Sequence, residues 1–293
     1  MMPAMRVHRP VAVSEALSLL REHGEDAKVL AGGTAFTLFH KMGLLEPAHV
    51  VTLDGVDELV GVRRDGDDVV IGAMTRLSDL ERDPVVVGEV PVLAGALRLV
   101  ANLRVRNAAT LGGNLTEADP SSDPPAVLTA LEALARVRSV DGERLVPLTD
   151  FFHGFLETAV AEDELVTEIV VPSPASRGHG SYVKFVSRNA EDRTCLGAAA
   201  FVATGRRGKV TSARVCVIGS DPVPLRLPEV EQELEGGPPE PVALQRLAER
   251  YAQAARPVSD HRGSAGYRRR VIAPLVVEAL TRAIDGEDTA VRW

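Results

Sequence analysis

The sequence contains very little cysteine. Cys195 and Cys216 are the only two thiols among its 293 residues, whereas an iron–sulfur cluster usually needs four cysteine ligands. The cysteines and histidines also show none of the spacings typical of a zinc site. If the chain takes part in redox chemistry, the electron carrier is therefore an organic cofactor or belongs to a partner. Both cysteines lie in apolar, strand-like segments, which predicts buried side chains that behave as small hydrophobes.

Long apolar runs and an excess of positive charge are missing too. The longest apolar runs are much shorter than a membrane-spanning helix, and the first residues, MMPAMRVH, contain no apolar signal core. We therefore expect a cytoplasmic protein. The formal net charge of -8 argues against broad binding to nucleic acid or anionic membranes. Neither G-x-x-x-x-G-K-[ST] nor G-x-G-x-x-G occurs, which disfavours P-loop and Rossmann sites.

Two short glycine-bearing segments stand out. The sequence AGGTA at 31–35 follows a predicted apolar strand at 27–30, and TLGGN at 110–114 follows a helical pattern at 91–102. Backbone N–H groups of successive glycines can point together and form a concave site for an anion such as phosphate. Either segment alone could be only a tight turn. Two of them in one chain predict that both close on one large phosphate-bearing ligand.

Helix and strand signals flank these segments. The residues SSDPP at 121–125 predict a helix start, with Asp123 as the cap and proline in the first turn. Apolar spacing then predicts a helix over 126–137. The first glycine segment opens a helical pattern at 36–42, which Thr34 could cap. Asp141 and Gly142 predict a hairpin turn, and the β-branched run at 165–171 predicts a strand.

The composition changes at 172–180, where proline, glycine and serine dominate as in a linker. We therefore place a domain boundary there. The first domain covers 1–176, with subdomains at about 1–55 and 56–176. The second covers 177–293, where alternating residues predict three antiparallel strands at 181–187, 197–203 and 210–219 and apolar spacing predicts helices at 242–255 and 264–284.

Three motifs occur together in the order of a known family. They are AGGT at 31–34, RNAATLGGN at 106–114 followed by PSSD at 120–123, and SDHRGSAGYR at 259–268. Over almost its whole length the chain resembles the FAD-binding (medium) subunit of the molybdenum hydroxylases, the family of xanthine dehydrogenase and aerobic carbon monoxide dehydrogenase. The resemblance implies an α+β fold: a vanillyl-alcohol-oxidase (PCMH)-type FAD-binding domain of two α/β subdomains, then a C-terminal domain with a three-stranded antiparallel sheet and a helical bundle.

The resemblance also implies which residues bind FAD. The two segments that cradle the pyrophosphate would be Ala31, Gly32, Gly33, Thr34 and Ala35, and then Ala109, Thr110, Gly112, Gly113 and Asn114. Asp123 falls where a family carboxylate holds the ribose or nearby polar groups, although it could be only a helix cap. Leu165 and Lys184 fall where the family contacts the flavin ring region, although a lysine in a strand is ordinarily solvated. Many relatives carry Asp, Asn or Ser at position 35; Ala35 keeps the backbone N–H but loses a side-chain contact.

The implied function is electron transfer within a larger enzyme. An iron–sulfur small subunit and a molybdenum-cofactor large subunit would be the partners, in a heterotrimer or its dimer. FAD would take electrons from the iron–sulfur clusters and pass them to an external acceptor, so no residue of this chain is assigned as a general acid or base. Two alternatives stay open: a stand-alone FAD-dependent oxidoreductase acting directly on a small molecule, and a flavin-free scaffold subunit.

Overall fold

A computed structural model describes residues 5–187 and 193–293. The chain begins with a small α/β unit, in which three parallel strands pair in the order β1-β3-β2. Helix α1 covers one face of this sheet with Leu17, Leu20 and neighbouring apolar side chains. The elements are β1 (Arg6–His8), α1 (Val13–His23), β2 (Ala27–Leu30), α2 (Thr34–Lys41) and β3 (His49–Thr52).

The second unit contains a five-stranded antiparallel sheet in the order β4-β5-β10-β6-β7. The central strand β10 follows the predicted bounds, and β6 and β7 form the hairpin predicted at Asp141 and Gly142. The elements are β4 (Val62–Asp65), β5 (Asp68–Gly72), α3 (Leu77–Leu80), α4 (Pro84–Glu89), α5 (Pro91–Arg98), α6 (Leu103–Arg106), α7 (Leu111–Glu117), α8 (Asp123–Ala130), β6 (Leu134–Ser139), β7 (Gly142–Pro147), α9 (Leu148–Phe151), β8 (Phe152–Gly154), β9 (Glu157–Thr158) and β10 (Leu165–Val171).

The helix predicted over 126–137 is too long at its C-terminal end. Helix α8 ends at Ala130, and Leu134 already begins β6. Glu132 adopts a left-handed φ of 56°, and the N–H of Ala133 donates to the carbonyl of Leu128. This is the usual way in which a helix is closed, although glycine is commoner than glutamate there. The apolar pattern continues past the cap because the next strand is also buried.

The C-terminal unit is a four-stranded sheet in the order β13-β12-β11-β14, covered by helices on one face. The three predicted antiparallel strands are present, and a short last strand that was not predicted pairs with β11 in parallel. Between the two units, residues Pro174–Arg177 of the predicted linker form one 3₁₀ turn. The elements are β11 (His179–Phe185), β12 (Leu196–Thr204), β13 (Val210–Ile218), α10 (Pro228–Glu231), α11 (Pro241–Ala254), α12 (Ala265–Ile284) and β14 (Thr289–Arg292).

Helix α8 lies at the centre of the molecule. All eight of its residues are buried, as expected for a helix that packs on every side. It contacts α5 on one side and strands β12 and β13 on another. Tyr182, Phe201 and Ile218 of the C-terminal sheet belong to the same apolar core as α8. The two units therefore share a core, and the start of α8 lies where they meet.

Both cysteines are buried, as predicted. Burial raises the pKa of both thiols above the ordinary value. In the two ranges that the structure describes, no helix combines the length and the apolar character that crossing a membrane requires.

Candidate functional site

The two glycine segments meet in the structure. The backbone of Gly32 lies so close to residues 108–109 that a Cβ at Gly32 would be 1.9 Å from the carbonyl oxygen of Ala108. A Cβ at Gly113 would be 3.3 Å from the Cβ of Ala31. Glycine is therefore required by the close approach of one segment to the other. The prediction that the two segments close on one site is supported by this contact.

A cleft of three adjoining cavities runs past this contact. The central cavity, of about 300 Å³, is lined by both glycine segments. It shares Thr34, Ala35 and Asn114 with the Lys184 cavity, of about 280 Å³, which also contains Asp123. It shares Ala31 and Gly113 with the Leu165 cavity, of about 380 Å³.

Every residue that the sequence predicted for the site lines this cleft. Leu165 and Lys184, however, line its two opposite cavities, with the glycine segments between them. The two residues therefore line different cavities of the cleft.

The first glycine segment presents free backbone donors to the cleft. Gly33 occupies the N-cap position of α2 with a left-handed φ of 71°, so the alternative interpretation, in which Thr34 caps this helix, is wrong. The first N–H groups of a helix have no intrahelical acceptor. Within the described part of the chain, no side chain caps those of Thr34, Ala35 and Phe36, and all three residues line the central cavity. An anion fits here, because both the free N–H groups and the helix dipole favour negative charge.

The second glycine segment is different, because it is the first turn of α7. Thr110 caps this helix by accepting a hydrogen bond from the N–H of Gly113 at 3.2 Å. The N–H groups of Leu111 and Gly112 donate to the carbonyl oxygens of Thr75 and Ala73. These amides are therefore already satisfied, and the predicted convergence of N–H groups on an anion is wrong for this segment. Its glycines instead allow close packing, since a Cβ at Gly112 would be 2.6 Å from that of Ala73.

Asp123 and Lys184 form a buried ion pair at the wall of the Lys184 cavity. Their charged atoms lie 2.8 Å apart, and the side chains are 4% and 1% exposed. The ammonium group of Lys184 also donates to the carbonyl of Leu99 at 2.7 Å. The other carboxylate oxygen of Asp123 accepts hydrogen bonds from the hydroxyls of Tyr182 and Thr194, both at 2.5 Å. Buried charges need such pairing to offset their lost hydration.

This arrangement corrects two expectations. Ser122 occupies the N-cap position of α8 and Asp123 is the first helical residue, with its carboxylate in the ion pair; the prediction of an Asp123 cap is wrong. Lys184 is buried rather than solvated. Tyr182 and Thr194 were missed by the sequence analysis. Tyr182 had a usable signal, because residues two apart in a strand point to the same face as Lys184. Burial, with the Asp123 charge adding to it, raises the pKa of Tyr182 well above its usual value.

Carboxyl groups also line the cleft, and the surrounding residues reduce their negative charge. Glu117 borders both the central and the Lys184 cavities. Burial, and then the nearby Asp119, raise the pKa of Glu117, while Arg193 opposes that rise. Arg193 lies 2.5 Å from a carboxylate oxygen of Asp119. A less charged Glu117 and a paired Asp119 reduce repulsion of a phosphate bound between them and α2.

The third motif joins the C-terminal unit to this region. The guanidinium of Arg262 donates to the hydroxyl of Ser121 at 2.7 Å and lies 2.9 Å from the carboxylate of Asp260. Arg268 lies 2.5 Å from the same carboxylate. Burial alone would raise the pKa of Asp260, but hydrogen bonds from the Arg262 backbone and the two guanidinium groups lower it to about 2. The motif is structural, since it braces the segment that leads into α8.

Known proteins match nearly the whole length of this chain. The family model described as the FAD binding domain in molybdopterin dehydrogenase matches residues 3–174. The model of the CO dehydrogenase flavoprotein C-terminal domain matches residues 181–283. This chain belongs to the FAD-binding subunits of the molybdenum hydroxylases.

Individual relatives agree with this assignment. The carbon monoxide dehydrogenase medium chain of Hydrogenophaga pseudoflava is 34% identical over 96% of this chain and 97% of its own length. The glyceraldehyde dehydrogenase medium chain of Sulfolobus acidocaldarius is 33% identical over 94% and 97%. A solved structure of the Hydrogenophaga pseudoflava carbon monoxide dehydrogenase that lacks the Mo-pyranopterin moiety superimposes with a TM-score of 0.92, at 35% identity over 97% of this chain and 98% of that one.

FAD is thus the cofactor of this flavin subunit, which is part of an oxidoreductase, and the cleft fits FAD. The three cavities form an extended space in the size range of small-molecule sites, with the glycine contact in the middle. Uncapped donors of α2 face the middle, where a pyrophosphate would need them. The Lys184 cavity contains the buried Asp123–Lys184 ion pair. The Leu165 cavity combines apolar side chains such as Leu20, Leu53 and Val166 with the charged Lys28, Glu162 and Glu164. The two ends of the cleft therefore offer different chemistry to the two ends of a dinucleotide.

Proposed function

We propose that this chain is the electron-transferring subunit of a molybdenum hydroxylase. It would take electrons from iron–sulfur clusters of a small subunit, while a large subunit with the molybdenum cofactor oxidises the substrate. The main support is an FAD-sized cleft in a chain with only two cysteines, because such a chain cannot hold a four-cysteine cluster of its own. Relatives of nearly the same length are named medium chains of dehydrogenases.

We infer that the N-terminus of α2 holds the FAD pyrophosphate. Its support is the set of N–H groups of Thr34, Ala35 and Phe36 that face the central cavity. Gly113 and Asn114 form the opposite wall. Because the amides of α7 are occupied, this wall would act through its shape and through the Asn114 side chain. When bound, FAD supplies the electron-accepting chemistry; the protein holds and orients it and tunes its potential.

The isoalloxazine ring would lie in the Lys184 cavity and the adenine in the Leu165 cavity. A fixed ammonium group near the ring favours the negative charge that the ring gains on reduction. Lys184 supplies such a group as the positive end of its ion pair with Asp123, and both residues line this cavity. In the Leu165 cavity, apolar side chains such as Leu20, Leu53 and Val166 suit the faces of a flat base, and the nearby Lys28, Glu162 and Glu164 offer polar groups to its edge. This assignment keeps Lys184 at the flavin and moves Leu165 to the adenine.

Fragments of FAD test the two ends separately. In the double variant Asp123→Asn/Lys184→Met, we expect weaker binding of FMN and unchanged binding of ADP, both measured by competition with FAD. In Leu165→Ala we expect the reverse. Thermal unfolding of each variant serves as the control for folding. If Leu165→Ala weakens FMN and leaves ADP unaffected, the assignment is inverted.

The partner would dock at the open side of the Lys184 cavity. Helix α2 has no buried residue, and its Leu38, which borders this cavity, is 46% exposed. Met42, one turn further on the same face, is 61% exposed. Apolar side chains of this kind are suited to the centre of an interface. The variant Leu38→Asp/Met42→Asp should retain FAD but lose reduction of the flavin by the assembled partners.

Reconstitution tests the function as a whole. The isolated chain should bind FAD and show negligible turnover with aldehyde or heterocyclic substrates. Adding the small and large subunits should restore substrate-dependent reduction of the flavin. If an organic substrate reduces the flavin of the isolated chain at about 1 s⁻¹ or faster, the chain is a stand-alone oxidoreductase. A purified chain without flavin would instead favour a scaffold. The assembly as a heterotrimer or its dimer and the cytoplasmic location stay predictions.

A further inference from the structure

Three histidines from separate elements meet in the N-terminal unit. His8 ends β1, His23 ends α1 and His49 begins β3. Nε2 of His8 lies 2.9 Å from Nδ1 of His49, and the rings of His23 and His49 stack with centroids 3.7 Å apart. One ring nitrogen of each residue lies within 4.8 Å of the others. Three of the seven histidines in the chain thus share one half-exposed site.

The fold explains this meeting. In the parallel pairing of β1 with β3, Arg6 is opposite His49 and His8 is opposite Val51. Residues two apart in a strand point to the same face, so His8 and His49 share one face of the sheet. Helix α1 covers that face and ends at His23. Because the three histidines are far apart in sequence, they do not form a short metal-binding motif.

The electrostatics favour an unprotonated ring at His8. Burial, and then the neighbouring His23, His49 and Arg6, lower the pKa of His8, against a smaller opposite effect of Glu22. A neutral imidazole has one nitrogen with a free lone pair, which is the form that binds metal ions.

We propose that His8, His23 and His49 bind a divalent transition-metal ion, with solvent at the remaining position. Imidazole ligands suit zinc, copper and nickel rather than magnesium or calcium. Zinc–nitrogen bonds of 2.0–2.1 Å in tetrahedral geometry place ligand nitrogens roughly 3.3 Å apart. The nitrogens here are already within 4.8 Å, so side-chain rotation that unstacks His23 from His49 would bring them to that spacing.

The position of this site separates its effect from that of FAD. His49 pairs with Ala27, the first residue of β2, whereas the first glycine segment follows Leu30 at the other end of that strand. Four residues of strand place the two sites roughly 10 Å or more apart. An ion would link the edge strand β1 to α1 and β3. It should therefore stabilise the N-terminal unit and leave FAD binding unchanged.

Zinc titration of the tag-free, chelator-stripped full chain is the direct test. We expect one equivalent of Zn²⁺ to compete with a chromophoric chelator and to raise the midpoint of thermal unfolding. His23→Gln and His49→Gln should each weaken Zn²⁺ binding at least about tenfold, since even residues that only orient a metal ligand cost about that much. Both variants should lose the thermal shift and keep normal FAD content, which also reports that they fold.

His153→Gln is the matched control, because His153 is exposed and lies in β8 of another unit. It should bind Zn²⁺ as the unchanged chain does. The proposal is overturned if the unchanged chain does not bind Zn²⁺ in competition with the chelator. It is also overturned if folded His23→Gln and His49→Gln bind the ion as tightly as the unchanged chain. Neither result depends on whether the chain transfers electrons.

Discussion

Replacing Gly32 with alanine should separate the two glycine segments and weaken FAD binding. The new Cβ would lie 1.9 Å from the carbonyl oxygen of Ala108 and 2.7 Å from its carbonyl carbon. Side-chain Cβ atoms essentially never approach other atoms within 3.0 Å, so one segment must move by about 1.1 Å. Both contacts are with backbone, and no side-chain rotation can relieve them.

The magnitude follows from this overlap. Extra atoms in a packed site typically cost about 1–3 kcal/mol of folding free energy, and the rigid backbone places Gly32→Ala at the upper end. The displacement would widen the central cavity between α2 and α7, where both walls contribute to the site. We expect FAD affinity to fall at least tenfold, which corresponds to about 1.4 kcal/mol of binding free energy.

Two measurements separate folding from binding. Urea unfolding of the FAD-free chain gives the stability change, and a fluorescence titration with FAD gives the affinity. Gly66→Ala is the control, because a Cβ at Gly66 would meet nothing within 4 Å, while the left-handed φ of 63° at Gly66, which Gly32 lacks, still makes the substitution destabilising. That variant carries backbone strain of about 1–2 kcal/mol away from the cleft and should bind FAD normally. Unchanged FAD affinity in Gly32→Ala would refute the reasoning.

Other predictions concern the C-terminal unit and its junction. Lys184→Met leaves the buried Asp123 carboxylate unpaired and should cost about 3–5 kcal/mol of unfolding free energy; adding Asp123→Asn should recover most of it, and no recovery would contradict the pairing. The pKa of Asp260 is lowered to about 2. The ionised Asp260 carboxylate therefore stabilises the fold fully above about pH 4, and this contribution is lost as the pH falls through about 2. In acid unfolding, Asp260→Asn should reduce the dependence of stability on pH in this range. Ser264 caps α12 by accepting from the Tyr267 N–H at 3.2 Å; Ser264→Ala should cost about 1 kcal/mol in urea unfolding, whereas Ser264→Asn should not.

Local chemistry in the sequence predicted many elements well. Strand β10 has the predicted bounds because it is a β-branched run without a competing helical period. The hairpin at Asp141 and Gly142 follows from turn residues that adopt the required backbone angles. Ser264 occupies the N-cap position of α12, which serine commonly does. The order of the motifs also predicted the residues that line the cleft, because the two glycine motifs can be recognised in the sequence without knowing that their segments are in contact.

Only the tertiary structure decided what those residues do. The glycines at 112–113 lie in a helix whose amides are occupied, because Thr75 and Ala73 supply acceptors from a distant turn. Asp123 looked like a helix cap, but a lysine from another unit lies 2.8 Å from its carboxylate. Leu165 and Lys184 were both expected near the flavin ring, yet they line different cavities of the cleft, with the glycine segments between them. The three histidines meet only through parallel strand pairing and the end of α1. Contacts between residues far apart in sequence leave no periodic signal, so these roles follow from packing alone.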